Sequence, residues 1–516
     1  MIKTSNTHLP DLRALIGIGC FTVLALLLMS WDSYLYDLPQ HHDVIWFYMC
    51  GKAWMHGLTP YIDFADSKGP LLWLIYGLGH LLSPRDYIGC YWLSCLLYTF
   101  IFYQCYRCAL LFVKDRRLAF MAVLFSAVFF LSSLTHTEVR AEDYCYAFMM
   151  PVFYQFLRYT VARENSREFV SKTAIILGIS LGATLLIKYS CTLMMAVFIP
   201  YCCIVMPRRV NYPVWKALAW CAIAGITTML PVIVLLACQG ALGACIQEYF
   251  LVTATTFGNL HGESIKFSSV MSVFLGAQVL IFNLGVILCI VIYGRSHRSG
   301  WKFITLALIW FMAIITLNGT DRIYYNVLAL FTVLAAGIIM RSAGQWLRNG
   351  MAVAIATVAV LAGLFLTTDR NSLFTAENPD NATWYYYPML MSQYEKPRVL
   401  YLNCHDHGES VPVMGLPACK YWSLQEGHSP EMVKEQVDAV MRFQADVVFL
   451  RFNDYPMIHM LEELGYHRYD FTDAGLGDKR WERYLMYSQN ELIVPHQPVQ
   501  PQPVDILLKR NIVTKK

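Results

Sequence analysis

Charge is scarce in this chain. Hydrophobic residues make up 57% of its 516 residues and charged residues only 15%, whereas about a quarter of the residues of a soluble protein are charged. The charge is missing mainly from apolar runs of about 20 residues, the length that a helix needs to cross a hydrocarbon core about 30 Å thick. This composition predicts a polytopic α-helical membrane protein. The formal net charge of +4 is too small to indicate a nucleic-acid partner.

Three other features are absent. The 16 cysteines lie mostly in apolar runs, where cysteine behaves as a small hydrophobic residue, so a disulfide scaffold is excluded. Only Cys404 and Cys419 lie in sequence of soluble character, and whether they pair stays open. The first apolar run, 14–31, is not followed by a small-residue cleavage site, which predicts a retained span rather than a signal peptide. Residues after 368 contain neither a phosphate-binding loop nor a nucleophile elbow.

Eleven apolar segments are predicted to span the membrane. They are 14–31, 88–113, 118–135, 144–160, 173–187, 191–206, 216–237, 268–293, 302–317, 324–340 and 351–367. Lys and Arg concentrate in the N-terminal segment and in every second loop after it, and the positive-inside rule places those segments in the cytoplasm. The N-terminus is therefore predicted to be cytoplasmic, and the segment after residue 368 extracytoplasmic.

The long outer loop 32–87 contains an apolar stretch, 71–82, that is too short for a span. Pro70 precedes it and Pro84 follows it, and its length is typical of a helix that lies in the membrane surface or re-enters it. Counting it as a span would also place Lys114 and its neighbours outside, against the charge bias.

The composition after residue 368 is that of a soluble domain. The predicted elements are a strand at 398–403, a helix at 429–444, a strand at 445–452 and a helix at 455–466. This alternation predicts a small extracytoplasmic α/β domain over 369–494. The Pro- and Gln-rich tail 495–516 is predicted to be disordered.

The first outer loop contains the polar residues that best fit a chemical role. It reads HHDVIWFYMCGKAWMHGLTPYIDFADSKGPLLW from residue 41 and includes the carboxylates Asp43, Asp63 and Asp66 and the cation Lys68. A carboxylate in a cavity at the membrane surface is partly desolvated, which raises its pKa and makes it a better general base. The alternative is structural, because an aspartate is also a common cap for a helix such as the one predicted after Asp43.

This loop resembles the first outer loop of bacterial GT-C glycosyltransferases, the superfamily that includes protein mannosyltransferases and aminoarabinose transferases. The matching positions are Asp43, Phe47, Gly51, Gly57, Pro60, Tyr61, Asp63, Asp66, Lys68, Gly69, Pro70 and Leu72. Weaker matches are the acidic turn THTEVRAEDYCYAFMMP, the segment IKYS at 187–190 and the tyrosine-rich turn NGTDRIYYN. The resemblance covers residues 10–370 approximately.

The resemblance implies a GT-C-like transmembrane domain over 1–368 that transfers a sugar at a bacterial inner membrane. The donor would be a polyprenyl-phosphate-sugar held in membrane lipid. The acceptor would be a glycan, lipid or protein on the extracytoplasmic face, with inversion at the anomeric carbon. Asp43 matches the aspartate that deprotonates or orients the acceptor, and the domain at 369–494 is then expected to assist acceptor binding or assembly. The other loop residues implied to contact substrate are Tyr61, Asp63, Asp66 and Lys68.

Metal dependence does not follow from the resemblance. Eukaryotic protein mannosyltransferases carry an acidic pair at this position, whereas Val44 follows Asp43 here, so their acceptor and metal behaviour does not transfer. His41, His42 and Asp43 could bind a divalent metal, although adjacent histidines do not share one face of a helix. No cofactor is certain, and a divalent metal stays open.

A second group of candidates lies in the acidic outer turn after the third predicted span. Glu142 matches an acidic position of the family best and is the second catalytic candidate. Glu138 and Arg140 lie beside it as candidate substrate contacts. The alternative is a solvated loop in which Arg140 pairs with these acids.

Two outer cations are candidates for holding the donor phosphate. Lys188 ends a predicted span on the outer side, where a long cationic side chain can also simply extend to the membrane surface. Arg322, with Tyr324 close in sequence, has the same candidate role, and a surface salt bridge with Asp321 is its alternative.

Two other functions stay open. A transporter or flippase of lipid-linked glycans would require ionisable residues at mid-membrane, and the predicted spans contain few. A non-catalytic subunit of an envelope complex would predict that Asp43 is dispensable.

Overall fold

The structure is a computed structural model, and it divides the chain into two compact units. It describes residues 11–30, 32–35, 42–131, 139–252, 329–341, 345–367, 383–406, 408–424, 429–470 and 484–494. The first unit comprises residues 1–30, 93–231 and 263–368. The second unit comprises residues 31–92, 232–262 and 369–516.

Helices dominate the described residues, and we number them along the chain. They are α1 (Leu12–Met29), α2 (His42–Met55), α3 (Pro70–Leu82), α4 (Ile88–Leu110), α5 (Arg116–Phe130), α6 (Ala141–Thr160), α7 (Arg167–Ile187), α8 (Tyr189–Arg209), α9 (Val214–Cys238), α10 (Leu242–Val252), α11 (Ala329–Arg341), α12 (Gly350–Thr367), α13 (Thr383–Met391), α14 (Pro430–Met441) and α15 (Tyr455–Glu463).

Nine of the eleven predicted spans coincide, fully or in part, with these helices. The predicted spans 268–293 and 302–317 lie outside the described residues. By length and composition, α1, α4, α7, α8 and α9 are each long and apolar enough to cross a membrane. The prediction of a polytopic helical membrane protein is confirmed, and the sidedness inferred from Lys and Arg stays a prediction.

Two helices begin earlier than hydropathy predicts, because their first turns are polar. The helix α7 starts at Arg167 rather than at 173, and the Ser166 hydroxyl caps it by accepting a hydrogen bond from the Phe169 N–H (3.0 Å). The helix α6 starts at Ala141 rather than at 144, and the Asp143 carboxylate accepts from the Arg140 N–H (2.7 Å). Capping residues are polar, so a search for apolar runs places them outside the helix.

In the second unit, two glycines allow α2 and α3 to pack closely. A Cβ atom on Gly51 would lie 2.3 Å from the Gly77 nitrogen and 2.6 Å from the Trp73 carbonyl oxygen. Both neighbours are backbone atoms, so neither can move aside without displacing a helix. Gly51 belongs to the loop motif, and packing explains why glycine stands there. The helix α3 has 13 residues, which agrees with the short helix predicted between Pro70 and Pro84.

The C-terminal region contains a five-stranded sheet in the order β2–β1–β3–β5–β4. Its strands are β1 (Arg398–Tyr401), β2 (Leu416–Pro417), β3 (Val447–Arg451), β4 (His467–Tyr469) and β5 (Tyr484–Ser488). The strands β2, β1 and β3 are parallel to one another, and β5 runs antiparallel to both of its neighbours, β3 and β4. The predicted α/β character is confirmed. Cys404 and Cys419 are both free thiols, so the open disulfide pairing is not formed.

The first outer loop and the C-terminal sheet belong to the same compact unit. They lie at opposite ends of the chain, so the boundaries of this unit do not follow the sequence. The predicted domain limits, 1–368 and 369–494, stay predictions. The tail 495–516 lies outside the described residues, so its expected disorder stays a prediction too.

Replacing Gly51 by alanine should destabilise the folded protein, because the added methyl group has no space between α2 and α3. Overpacking of this kind costs about 1–3 kcal/mol. The measurement is the thermal unfolding midpoint of the detergent-solubilised protein. Gly17→Ala is the matched control, because a Cβ atom at Gly17 would meet no atom of the described residues within 4 Å. Equal midpoints for the two variants would contradict the packing role of Gly51.

Candidate functional site

Asp43 lies in the first turn of α2 and is half-buried. A negative charge at this end of a helix is stabilised by the unpaired N–H groups of the first turn. Phe47 lies four residues later, on the same face of the helix. The position of Asp43 at the start of α2 fits the structural alternative as well as a chemical role.

Asp66 is the carboxylate that interacts electrostatically with Asp43. Its Oδ1 accepts hydrogen bonds from the Ser67 N–H (2.5 Å) and hydroxyl (3.2 Å). Its Oδ2 is buried and has no hydrogen-bond partner among the described residues. Burial raises the pKa of Asp66, and the negative charge of Asp43 raises it further, whereas Lys68 acts in the opposite direction. Two carboxylates of the predicted set therefore lie within electrostatic reach of each other.

Lys68 brings a positive charge to the same place. Its Nζ donates to the Ser67 hydroxyl (2.9 Å) and lies 5.6 Å from the centre of the Phe47 ring. Asp43, Asp66, Lys68 and Phe47 together form what we call the loop cluster. The cluster thus combines two carboxylates, a cation and an aromatic face.

Tyr61 and Asp63 hold the loop rather than joining this cluster. The Tyr61 hydroxyl donates to the Lys68 carbonyl oxygen (3.0 Å), and its buried ring packs on Trp73 with the ring centres 4.6 Å apart. The Asp63 Oδ2 accepts from the Thr59 N–H (2.7 Å). Both side chains are thus engaged in shaping the turn that carries Asp66.

A buried lysine adds a feature that the sequence did not single out. Lys52 of α2 is fully buried, and its Nζ donates to the carbonyl oxygens of Ser410 (2.8 Å) and Val413 (2.5 Å). Burial lowers the pKa of Lys52 to about 7, while the negative charge of Asp406 acts in the opposite direction. Burial raises the pKa of Asp406 to about 6. A lysine in the otherwise apolar run of α2 is a visible signal, but its partners are 358 and 361 residues away in the chain.

The first unit gathers the candidates of the acidic outer turn. Glu142, in the first turn of α6, forms a buried ion pair with Lys188, the residue that ends α7. Arg140 immediately precedes α6 and is buried. Asp143 is fully buried and accepts from the Tyr98 hydroxyl (2.8 Å). The predicted residues Arg140, Glu142 and Lys188 therefore do lie together, and Tyr98 and Asp143 complete what we call the turn cluster.

The pairing limits what Glu142 and Lys188 can do alone. A carboxylate that is paired with an ammonium group is stabilised in its ionised form and is a weaker base. Arg140 differs, because its Nε is buried and has no hydrogen-bond partner among the described residues. Glu138, Arg322 and Tyr324 lie outside the described residues.

No group of three or more His, Cys, Asp or Glu side chains suited to a metal ion occurs within the described part of the chain. His41 lies outside that part, and so does the side chain of His42. The metal proposal for His41, His42 and Asp43 is therefore not tested.

Removing one partner of the Glu142–Lys188 pair should destabilise the protein strongly. Their side chains are only 9% and 20% exposed, and a buried charge left unpaired costs about 3–5 kcal/mol. The control is the pair Glu168–Lys172 of α7, with side chains 75% and 60% exposed, where loss of one partner costs about 0–1 kcal/mol.

Thermal unfolding midpoints of Lys188→Met and Lys172→Met test this difference. Adding Glu142→Leu to Lys188→Met should restore part of the loss, because the remaining unpaired charge is then removed. Equal midpoints for the two lysine variants would show that the buried pair contributes no more than an exposed one.

No family model matches this chain, and no curated protein matches it. Eleven chains of solved structures match. One is the crystal structure of ArnT from Cupriavidus metallidurans bound to undecaprenyl phosphate, with a TM-score of 0.60 and 12% sequence identity. The match covers 93% of this chain and 98% of that chain. At this identity the likeness concerns the fold, and the protein shares the fold of that ArnT structure.

Proposed function

We propose that the protein is a membrane glycosyltransferase that transfers a sugar from a polyprenyl-phosphate-linked donor to an acceptor outside the cytoplasm. The observation that carries the proposal is the shared fold with ArnT, which was crystallised with undecaprenyl phosphate bound. The loop cluster supports it, because it lies in the loop whose sequence resembles that of GT-C enzymes. The proposed location is a bacterial inner membrane, with a cytoplasmic N-terminus.

Asp43 is the proposed general base. It would accept the proton of an acceptor hydroxyl or amine as that group attacks the anomeric carbon of the donor sugar. The bond between the anomeric carbon and the phosphate oxygen breaks as the new bond forms on the opposite face. The configuration therefore inverts, and the electron pair leaves on polyprenyl phosphate. Asp66 adds a second negative charge beside the base.

The leaving phosphate needs positive charge, since it gains negative charge as the bond breaks. Lys68 supplies one candidate in the loop cluster. Within the turn cluster, considered by itself, Arg140 is better suited to bind an anion than Lys188, because Lys188 is already paired with Glu142. We therefore assign Glu142 and Lys188 a structural role: their ion pair joins the start of α6 to the end of α7 and so fixes the position of Arg140.

The proposed acceptor is a glycan, a lipid or a protein, because each offers a hydroxyl or amine that Asp43 could deprotonate.

The test of catalysis uses the purified protein in proteoliposomes. Labelled polyprenyl-phosphate-sugars are the donors, and a cell-envelope extract supplies acceptors. Asp43→Asn keeps the size of the side chain and removes the base, so transfer should fall about 10²-fold or more. Asp63→Asn is the matched control, because an amide oxygen can still accept the Thr59 N–H bond. Equal transfer by wild type and Asp43→Asn would make Asp43 structural.

Binding of the lipid phosphate should not depend on Asp43. Undecaprenyl phosphate should raise the unfolding midpoint of wild type and of Asp43→Asn alike, because a ligand that binds only the folded state stabilises it. Loss of this stabilisation in Asp43→Asn would assign Asp43 to donor binding instead. Binding and movement of the lipid without transfer, over a full panel of donors, would favour a flippase.

A further inference from the structure

The segment 408–424 of the C-terminal region contacts three parts of the second unit that precede it in sequence. We call it the docking segment. It follows β1, includes β2 and ends before α14. That this region assists acceptor binding or assembly stays a prediction, and its contacts support a further role.

The first contact is with α2 through Lys52. The amino group of Lys52 has no exposed surface, and the carbonyl oxygens of Ser410 and Val413 replace the water that it would otherwise bind. The two N–H bonds of a neutral amine suffice for these two hydrogen bonds. Lys52 thus fixes the C-terminal half of α2 to the docking segment.

The second contact is near the start of α2. The Trp46 and Trp422 rings lie with their centres 4.5 Å apart, and Trp422 is fully buried. Gly408 has a positive φ of 92°, and a Cβ atom on it would lie 3.4 Å from the Ile45 side chain. Ile45 and Trp46 are within one helical turn of Asp43. The docking segment therefore holds α2 beside its candidate base.

The third contact fixes the other carboxylate. The Ala65 N–H donates to the Lys420 carbonyl oxygen (3.0 Å), and Asp66 is the next residue. On α10, Glu248 accepts from Lys420 Nζ (2.5 Å) and from the Tyr421 hydroxyl (3.1 Å). One short segment thus binds the backbone next to Asp66 and the helix that carries Asp43.

We propose that the docking segment positions Asp43 and Asp66, with Lys52 as the positioning residue, so that the C-terminal domain is an integral part of the transfer site. This inference rests on the proposed function. The domain then acts on the reaction through the placement of the loop cluster and not by touching the donor. In this proposal Lys52 contacts neither the Asp43 nor the Asp66 carboxylate.

Docking of the segment on α2 depends on pH, because Lys52 releases a proton when it is buried. The pKa of Lys52 is about 7 in the docked structure and 10.5 for an exposed lysine, so docking releases a proton between these values and strengthens as the pH rises. The other titratable groups nearby are Asp406, Glu409, His56 and His80. Asp406, with a pKa of about 6, is largely ionised above pH 7. Burial lowers the pKa of both histidines, so they stay neutral in this range.

Hydrogen–deuterium exchange of the full-length protein in nanodiscs measures docking without any assay of activity. The peptides to follow cover 42–55 and 408–424. In wild type, exchange corrected for the intrinsic rate should slow between pH 7 and pH 9. In Lys52→Met both peptides should exchange about tenfold faster, and the pH dependence should vanish. Lys434→Met is the control, because Lys434 is exposed on α14.

A second experiment measures the kinetics of Lys52→Met and Lys434→Met in the transfer assay. Lys52→Met should lower kcat about 10- to 100-fold, the effect of a small misplacement of reacting groups, and leave the KM for the donor nearly unchanged. Faster exchange with unchanged kcat would overturn the positioning role, and unchanged exchange would overturn the role of Lys52. Failure of wild type to transfer any sugar would refute the proposed function, while the exchange result would still decide whether Lys52 docks the segment.

Discussion

The second unit depends on a lysine amino group that has exchanged water for two backbone carbonyl groups. Transferring Lys52 out of water is unfavourable unless its hydrogen bonds are replaced, and Ser410 and Val413 replace two of them. The conformation of the docking segment and the position of α2 therefore depend on each other. Asp406 contributes to that conformation, since its Oδ1 accepts the Gly408 N–H (2.7 Å).

The rest of the unit follows from this constraint. Close packing of α2 on α3 through Gly51 fixes one side of α2, and the docking segment fixes another. The turn from Thr59 to Lys68 is then held by Tyr61 and Asp63 through bonds to its own backbone. Asp66 and Lys68 reach the neighbourhood of Asp43 because each of these supports is short and at least partly buried. Rigid support of this kind is what a site requires to hold reacting groups in place.

Features that depend on near neighbours in sequence could be predicted, and features that depend on distant ones could not. Helices such as α1 and α9 follow from runs of apolar residues, and β1 and β3 from short runs with turns around them. Asp63 and Asp66 look alike in sequence, three residues apart. Only their hydrogen bonds distinguish a structural carboxylate from one with a buried oxygen that has no partner among the described residues. Glu142 and Lys188 were expected in outer turns, but their pairing required knowing how α6 and α7 meet. The partners of Lys52 could not be guessed from any local pattern.

The long sequence separation of that contact sets an order of events during synthesis. Ser410 is made 358 residues after Lys52, and at translation rates of about 5–20 residues per second this takes about 20–70 s. During that interval α2 has its lysine but not the carbonyl groups that receive it, so the ammonium group must stay hydrated. The first outer loop therefore cannot mature when it emerges. It completes its structure only after residues 408–424 have been synthesised and have reached α2.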